Sequence, residues 1–242
     1  MPHGKPDWGV DWTPRTVYGL EDLGEHAVRT GSIHLFDRRG DTITLDSFEE
    51  GLGQAEIVID GLGAAVALIG SRSRQGAFCV KLTAGSNLTQ LAGLRYRRGL
   101  PVSSRLGLEF SFTIAAETNY WEWSILHYVD TAVWTSTVRY DYVNSRLEVW
   151  DDVLGWHIFQ TEVYLHRHDQ SWHTGKLVAD LRNRQYVRFL LDENEWGLSV
   201  YAPVETVVPA AYALYWQGTH VGNAGQNPSA YMDSVILTQN EP

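Results

Sequence analysis

The stretch at residues 172–200, WHTGKLVADLRNRQYVRFLLDENEWGLSV, limits the possible folds more than any other part of the chain. Its side chains alternate between apolar and polar over residues 176–180, the period of two that predicts a half-buried strand. The polar residues 182–185 are short enough for a hairpin loop, and a second alternating run follows at residues 186–191. A third strand is predicted to begin at Trp196. Three strands joined by tight turns form an antiparallel meander, which needs a second sheet to cover its apolar face.

The same alternation predicts which side chains share a face. In the first strand, Leu177 and Ala179 oppose Lys176, Val178 and Asp180. In the second strand, one face is predicted to carry Val187, Phe189 and Leu191, and the other Tyr186, Arg188 and Leu190.

These residues carry a resemblance to a known superfamily. The run WHTGKLVADL-RNRQ-YVRFLL resembles a passage of laminin-G-like, concanavalin-A-like jelly rolls, in which Trp-His, a strand ending in Asp, a turn and Tyr-x-Arg follow one another. YMDSVILT, at residues 231–238, is similar to their last strand, and the likeness extends over residues 42–238. It implies an all-β, two-sheet antiparallel jelly-roll sandwich. It does not select a function, because the superfamily includes lectins, glycosidases, polysaccharide lyases, adhesion modules and virion proteins.

The remainder of the chain fits this fold as one domain with an extension. Segments typical of strands recur about every ten residues between positions 55 and 238, separated by Gly, Asn, Asp and Pro. We therefore predict a jelly-roll domain at residues 41–242. Residues 1–40 are predicted to form an extended arm with a short helix and the start of a hairpin.

Aromatic residues in the arm suggest a docking role. Trp8 and Trp12 lie among prolines and glycines, with Tyr18 close behind. Indole rings are costly to leave in water, so the arm either packs on its own domain or docks on a neighbouring subunit. We expect Trp8, Trp12 and Tyr18 to be assembly contacts, with other protein subunits as partners and a homo-oligomer as the product.

Charge and hydropathy limit the partners further. The formal net charge is −10 and the isoelectric point is near 5.3, which argues against nucleic acid and anionic membranes. The first thirty residues contain no apolar segment of the secretory type, and the longest apolar run covers only residues 64–69. We expect a protein without a Sec signal peptide, located in a virion or other extracellular assembly, or in the cytoplasm if it is not assembled.

Metal and cofactor sites have little support in the sequence. The densest imidazole cluster, His166, His168 and His173 with Asp169, ends a predicted strand and enters a polar loop, where exposed histidines are common. The predicted metal and cofactor content is therefore none. A structural calcium ion near Asp46 and Asp233 stays open, because related jelly rolls bind calcium between their first and last strands.

Catalysis also lacks a recognisable motif. The Glu-x-Asp-x-x-Glu spacing of concanavalin-like glucanases is absent, and so is the Gln-x-His strand of the related lyases. Glu109 and Glu122 are the best-placed carboxylates, since each lies within an apolar strand. A solvated strand face explains them equally well, and we predict that the protein is not an enzyme.

Aromatic residues suggest a surface for sugars. The chain has ten tryptophans and twelve tyrosines, and aromatic rings stack on the C–H faces of sugars. The predicted glycan-binding residues are Trp121, Trp123, Trp134, Tyr140 and Trp150. The alternative is that these rings belong to the core or to subunit contacts.

Two main function classes and one minor class follow. The first is a non-catalytic structural module, such as a decoration or a tail- or head-associated component of a phage-like virion. The second is a carbohydrate-binding, lectin-like module for a surface glycan. A glycosidase or lyase acting on polysaccharide is third. We expect the first.

Overall fold

A computed structural model describes residues 39–98, 104–114 and 118–242. The predicted short helix and the predicted assembly contacts Trp8, Trp12 and Tyr18 lie outside these ranges. The assembly role therefore stays a prediction.

Fourteen strands and no helix occur within the described ranges. They are β1 (Asp41–Asp46), β2 (Glu56–Ile59), β3 (Ala65–Ile69), β4 (Cys79–Thr83), β5 (Leu91–Arg98), β6 (Arg105–Phe112), β7 (Tyr120–Asp141), β8 (Arg146–Asp151), β9 (Gly155–Gln160), β10 (His173–Asp180), β11 (Gln185–Leu191), β12 (Asn194–Gly197), β13 (Val204–Val221) and β14 (Ser229–Gln239).

The strands form two antiparallel sheets. The eight-stranded sheet has the order β12-β11-β10-β6-β14-β4-β3, with β1 also pairing with β14. The six-stranded sheet has the order β2-β5-β13-β7-β8-β9. This arrangement confirms the predicted two-sheet antiparallel jelly-roll sandwich and places the meander β10-β11-β12 at one edge of the larger sheet.

Strand β7 is too long to run straight through the sandwich, and it doubles back on itself. The hydroxyls of Ser124 and Thr137 lie 2.9 Å apart although 13 residues separate them, and Tyr142 N–H donates to the carbonyl of Asn119 at 3.0 Å. A straight strand would put Ser124 and Thr137 about 43 Å apart. The reversal falls at Asp130, whose φ is +56°. The six-stranded sheet therefore contains two adjacent arms of β7.

Aromatic rings join the two sheets. Phe110 of the eight-stranded sheet stacks on Trp123 of the six-stranded sheet, with ring centroids 4.8 Å apart and planes 11° from parallel. Phe112 and Phe189 meet the same indole edge-on, at 5.2 and 5.0 Å. Trp121 adds contacts to both Phe110 and Phe112. These rings are almost completely buried, and large aromatic groups supply much of the free energy of a core.

The predicted faces of the meander are largely confirmed, with one correction. Leu177 and Ala179 point into the core, as do Phe189 and Leu191. Tyr186 was predicted to face the other way, but it is buried in the same core. The register between β10 and β11 shifts between Val178 and Ala179, so that Ala179 pairs with Tyr186. An extra residue in one strand reverses the faces beyond it, which a strict period of two cannot anticipate.

The outer face of the eight-stranded sheet is covered by other parts of the chain. The Lys176 ammonium lies 2.7 Å from the Glu241 carboxylate and 3.8 Å from that of Glu109, and it donates to the Arg39 carbonyl at 3.2 Å. Arg188 binds the other oxygen of Glu241. Charged groups are buried only where opposite charges and hydrogen bonds compensate for lost hydration. These compensating contacts keep Lys176 and Glu241 buried on this face.

No helix in the described part of the chain is long and apolar enough to cross a membrane.

A substitution at Gly175 tests the packing between the sheets. A Cβ atom at this position would fall on the indole ring of Trp123, whose N–H donates to the Gly175 carbonyl at 3.0 Å. We expect Gly175→Ala to lower the free energy of unfolding by about 1–3 kcal/mol, because the core must shift to admit the methyl group. Gly197→Ala is the control, since nothing lies within 4 Å of its added Cβ. Urea denaturation that gives equal losses for both variants would contradict this packing.

A buried histidine predicts the response to acid. His220 packs 5.3 Å from the Trp121 ring, and burial lowers its pKa from 6.5 to about 4. Between these values the unfolded chain binds a proton that the native protein does not, so stability falls as the pH drops from 6.5 to 4. Relative to His220→Gln, we expect the wild-type protein to lose up to about 3 kcal/mol over this window. Denaturation curves of both proteins from pH 7 to 4 measure this difference; a constant difference would show that His220 does not titrate as described.

Candidate functional site

The outer face of the six-stranded sheet carries the candidate site. Its strands alternate between core residues and residues that point outward from the sandwich. The outward set includes Arg95 and Arg97 on β5, Tyr215, Gln217 and Thr219 on β13, Tyr120, Glu122, Ser124, Thr137 and Arg139 on β7, Glu148 and Trp150 on β8, and Trp156 on β9. Aromatic and hydrogen-bonding groups on one open face are the combination that ligand sites use.

Four flat side chains form a line across this face. Trp150 and Trp156, paired between β8 and β9, have ring centroids 5.6 Å apart and planes 18° from parallel. The Arg139 guanidinium lies 3.7 Å from the centroid of Trp156 and 4.2 Å from that of Tyr120. Trp150 is 38% exposed. We call Tyr120, Arg139, Trp156 and Trp150 the aromatic line.

Ion pairs hold Arg139 in the aromatic line. Arg139 binds the carboxylate of Glu148, which is opposite it in the β7–β8 register and almost fully buried. Arg146 contacts the other oxygen of Glu148 at 2.8 Å and the carboxylate of Asp141 at 3.0 Å. Because Glu148 is bound on both sides, its role is to orient Arg139, whose planar group is suited to stacking.

Polar side chains fill the middle of the face. Glu122 accepts a hydrogen bond from the Thr219 hydroxyl at 3.3 Å. Burial raises its pKa, while Arg139 and that hydrogen bond act in the opposite direction. Beside it, Ser124 contacts Thr137. Ser124, Thr137 and Thr219 are buried, whereas Glu122 is partly exposed and can exchange hydrogen bonds with a polar ligand beside the aromatic line.

Three of the five predicted glycan-binding residues belong to the core. Trp121, Trp123 and Tyr140 are each fully buried. The Trp121 indole donates to the Thr113 carbonyl at 2.9 Å, and the Tyr140 hydroxyl donates to the Val163 carbonyl at 3.0 Å. Their rings point into the sandwich because they alternate with the outward residues of β7, and so they are not available to a sugar.

The other two predicted rings are more accessible, but they lie apart. Trp134 is partly buried under Arg184, whose guanidinium is 4.1 Å from its ring. Trp150 alone joins the aromatic line. Its neighbour Trp156 was not among the predicted residues; it joins Trp150 because β9 begins at Gly155 and pairs with β8. The aspartate at position 151 is a signal for a turn that ends just before Trp156. In the structure its carboxylate accepts hydrogen bonds from the amides of residues 153 and 154, as turn aspartates do.

The two candidate carboxylates do not face each other. Glu109 points outward from the eight-stranded sheet into the covered ion network, whereas Glu122 points outward from the six-stranded sheet. Packed sheets are about 10 Å apart, and these side chains project in opposite directions from them. Glu109 and Glu122 therefore cannot flank one glycosidic bond.

The candidate metal ligands also have other partners. His173 contacts Asp192 at 2.7 Å, and Asp169 contacts Arg72. No group of three or more His, Cys, Asp or Glu side chains in the described ranges is arranged to hold a metal ion.

The two calcium candidates serve the backbone and a core tyrosine. Asp46 accepts from Phe48 N–H at 3.0 Å and from the Tyr96 hydroxyl at 3.0 Å. Asp233 accepts from Arg74 N–H at 2.8 Å. These bonds give both carboxylates a structural role.

Comparisons with known proteins bear on the fold. No protein-family model and no curated protein matches the chain. The chain is similar to the solved structure of an endo-β-1,4-glucuronan lyase from the fungus Trichoderma reesei, with a TM-score of 0.53 and 11% identity over 82% of this chain and 96% of that one. A CBM22 xylan-binding domain from Paenibacillus barcinonensis has a TM-score of 0.42 and 13% identity, over 84% and 97%. At these identities the likeness shows the fold alone.

Glu122 predicts a pH dependence of the opposite sign to that of His220. Its raised pKa means that the native protein binds a proton more tightly than the unfolded chain, so stability falls as the pH rises from 4.5 through the raised value. We expect Glu122→Gln to gain stability relative to the wild-type protein over this interval. Thermal unfolding from pH 4 to 8 measures the gain, with Glu205→Gln, at an exposed position, as the control. A gain independent of pH would contradict the assignment.

Proposed function

We propose that this chain is a carbohydrate-binding domain that holds a glycan across the outer face of the six-stranded sheet. The observation that carries the proposal is the aromatic line, with Trp150 and Trp156 stacked and Arg139 held between Trp156 and Tyr120. The fold is compatible with this role, since the similar glucuronan lyase acts on a polysaccharide.

The chemistry of the face suits sugars. A pyranose ring has an apolar side made of C–H groups, and these are attracted to the electron-rich face of an indole. Its hydroxyls need hydrogen-bond partners once water is displaced. Trp150 and Trp156 supply the first kind of contact, and the partly exposed Glu122 and Gln217 supply the second.

The face is also organised before a ligand arrives. Arg139 is fixed by the Glu148 carboxylate and by two rings, and Ser124 and Thr137 contact each other across the two arms of β7. Ordering a long side chain on binding costs about 0.5–1.5 kcal/mol, a cost that is much reduced for a group that is already ordered.

Binding explains the geometry better than cleavage does. Both carboxylate oxygens of Glu148, which lies opposite Arg139, are already engaged by arginines. Hydrolysis needs a second carboxyl group that is able to exchange a proton or attack the sugar. We therefore propose recognition without catalysis.

A role of the arm residues Trp8, Trp12 and Tyr18 in assembly is a separate prediction and is compatible with this function.

Removing the exposed indoles tests the proposal. We expect the protein to bind members of a soluble polysaccharide panel, and Trp150→Ala and Trp156→Ala each to weaken binding about tenfold or more, since each lost stacking contact is worth on the order of 1–2 kcal/mol. Affinity electrophoresis or titration calorimetry measures this loss, and circular dichroism checks that the variants are folded.

The matched control is Tyr164→Ala, which removes an aromatic ring that is 78% exposed but lies beyond β9. It should bind as the wild-type protein does. If no polysaccharide binds, or if the two tryptophan variants bind as well as Tyr164→Ala, the outer face is not a glycan site.

A further inference from the structure

Two arginines lie on the outer face at the end opposite the tryptophan pair. Arg95 and Arg97 are alternate residues of β5, paired with Gln217 and Tyr215 of β13. Both guanidinium groups lie over the Tyr215 ring, 5.2 and 5.8 Å from its centroid. Arg95 also donates from Nε to the Gln217 amide oxygen at 2.8 Å, which leaves its outer nitrogens directed away from that bond.

These arginines differ from the others on the face in their charge environment. Arg139 and Arg146 form ion pairs with Glu148, and Arg146 also with Asp141. Among the described residues, no carboxylate lies within 4.0 Å of Arg95 or Arg97. Glu56, opposite Arg95 in the β2–β5 register, is exposed and forms no ion pair with it. These two cations lie side by side in a protein whose net charge is −10.

The arginines and tryptophans share one row of the sheet. Arg95 is paired with Gln217, and Gln217 is paired with Ser124, which contacts Thr137 on the other arm of β7. The row then passes to the paired Trp150 and Trp156. It crosses five gaps between strands, or about 24 Å at the usual strand spacing. One glycan of several sugar units can therefore contact both ends.

We propose that Arg95 and Arg97 bind the carboxylate of a uronic acid, so that the glycan held by this face is an acidic polysaccharide. This inference rests on the proposed function and specifies its substrate class. Guanidinium groups form short, paired hydrogen bonds to carboxylates, and both groups lie near the Tyr215 ring. The net negative charge of the protein opposes long-range attraction of a polyanion, so the preference arises from this local contact.

The test uses polymers that differ only in their carboxyl groups. Polygalacturonate, alginate and polyglucuronate are each compared with their carboxyl-reduced forms by titration calorimetry at pH 7. We expect at least one acidic polymer to bind about tenfold or more tightly than its reduced form, since a charge-assisted pair is worth on the order of 1.5 kcal/mol. In Arg95→Gln with Arg97→Gln, the two forms should bind equally, with binding to the reduced form unchanged.

Matched variants separate the local contact from net charge. Arg182→Gln removes one positive charge from an exposed turn of the other sheet and should keep the preference. Glu56→Gln removes the acidic side chain opposite Arg95 in the β2–β5 register and should tighten binding of the acidic polymer. Circular dichroism confirms folding of each variant.

The outcomes distinguish this inference from the proposed function. If acidic and reduced polymers bind equally, or sulfated polymers bind while uronates do not, the uronate assignment is overturned and glycan binding stands. If Arg182→Gln loses the preference as fully as the double variant does, the local contact is rejected. If no polymer binds, both the proposed function and the inference fail.

Discussion

The contact of Phe110 with Trp123 is the interaction on which the other features depend. It joins the centre of one sheet to the centre of the other, and Phe112, Phe189 and Trp121 pack around it. Trp123 lies against Gly175, where a side chain would not fit. Because the indoles of β7 are fixed on the inside of the sandwich, Glu122 between them is fixed on the outside. The core thus determines which side chains the candidate site presents.

The outer faces of the two sheets differ in how their side chains are covered. The eight-stranded sheet carries Lys176, Arg188 and Glu241 in a compensated network that other parts of the chain cover. The six-stranded sheet keeps partly exposed indoles and guanidinium groups. Charged groups can be buried without a net cost only when each has an opposite charge and hydrogen-bond partners. Exposed indoles, by contrast, lower the free energy of a complex when a ligand covers them. This asymmetry is the physical reason for assigning ligand binding to the smaller sheet.

The sequence predicted the fold more fully than the site, for reasons that individual residues show. Alternation around Leu177 and Phe189 identified the sandwich, since a period of two is a local property. In the segment YWEWS, the charged Glu122 was a signal that its neighbours Trp121 and Trp123 face inward, and the prediction of these two as glycan-binding residues did not use it. The aromatic line could not be predicted from the sequence, because Arg139, Trp156 and Tyr120 come together only through strand pairing. The inward direction of Tyr186 could be predicted only from the register shift between Val178 and Ala179, which depends on how two strands pair.

The doubling of β7 affects how many surface positions can be substituted independently of the core. Its two arms place Ser124 beside Thr137 and Glu122 near Arg139, all pointing away from the core. Every second residue of this surface can therefore be replaced without changing the side chains that fill the core. The outward positions and the core positions are interleaved along the same strands but form separate sets.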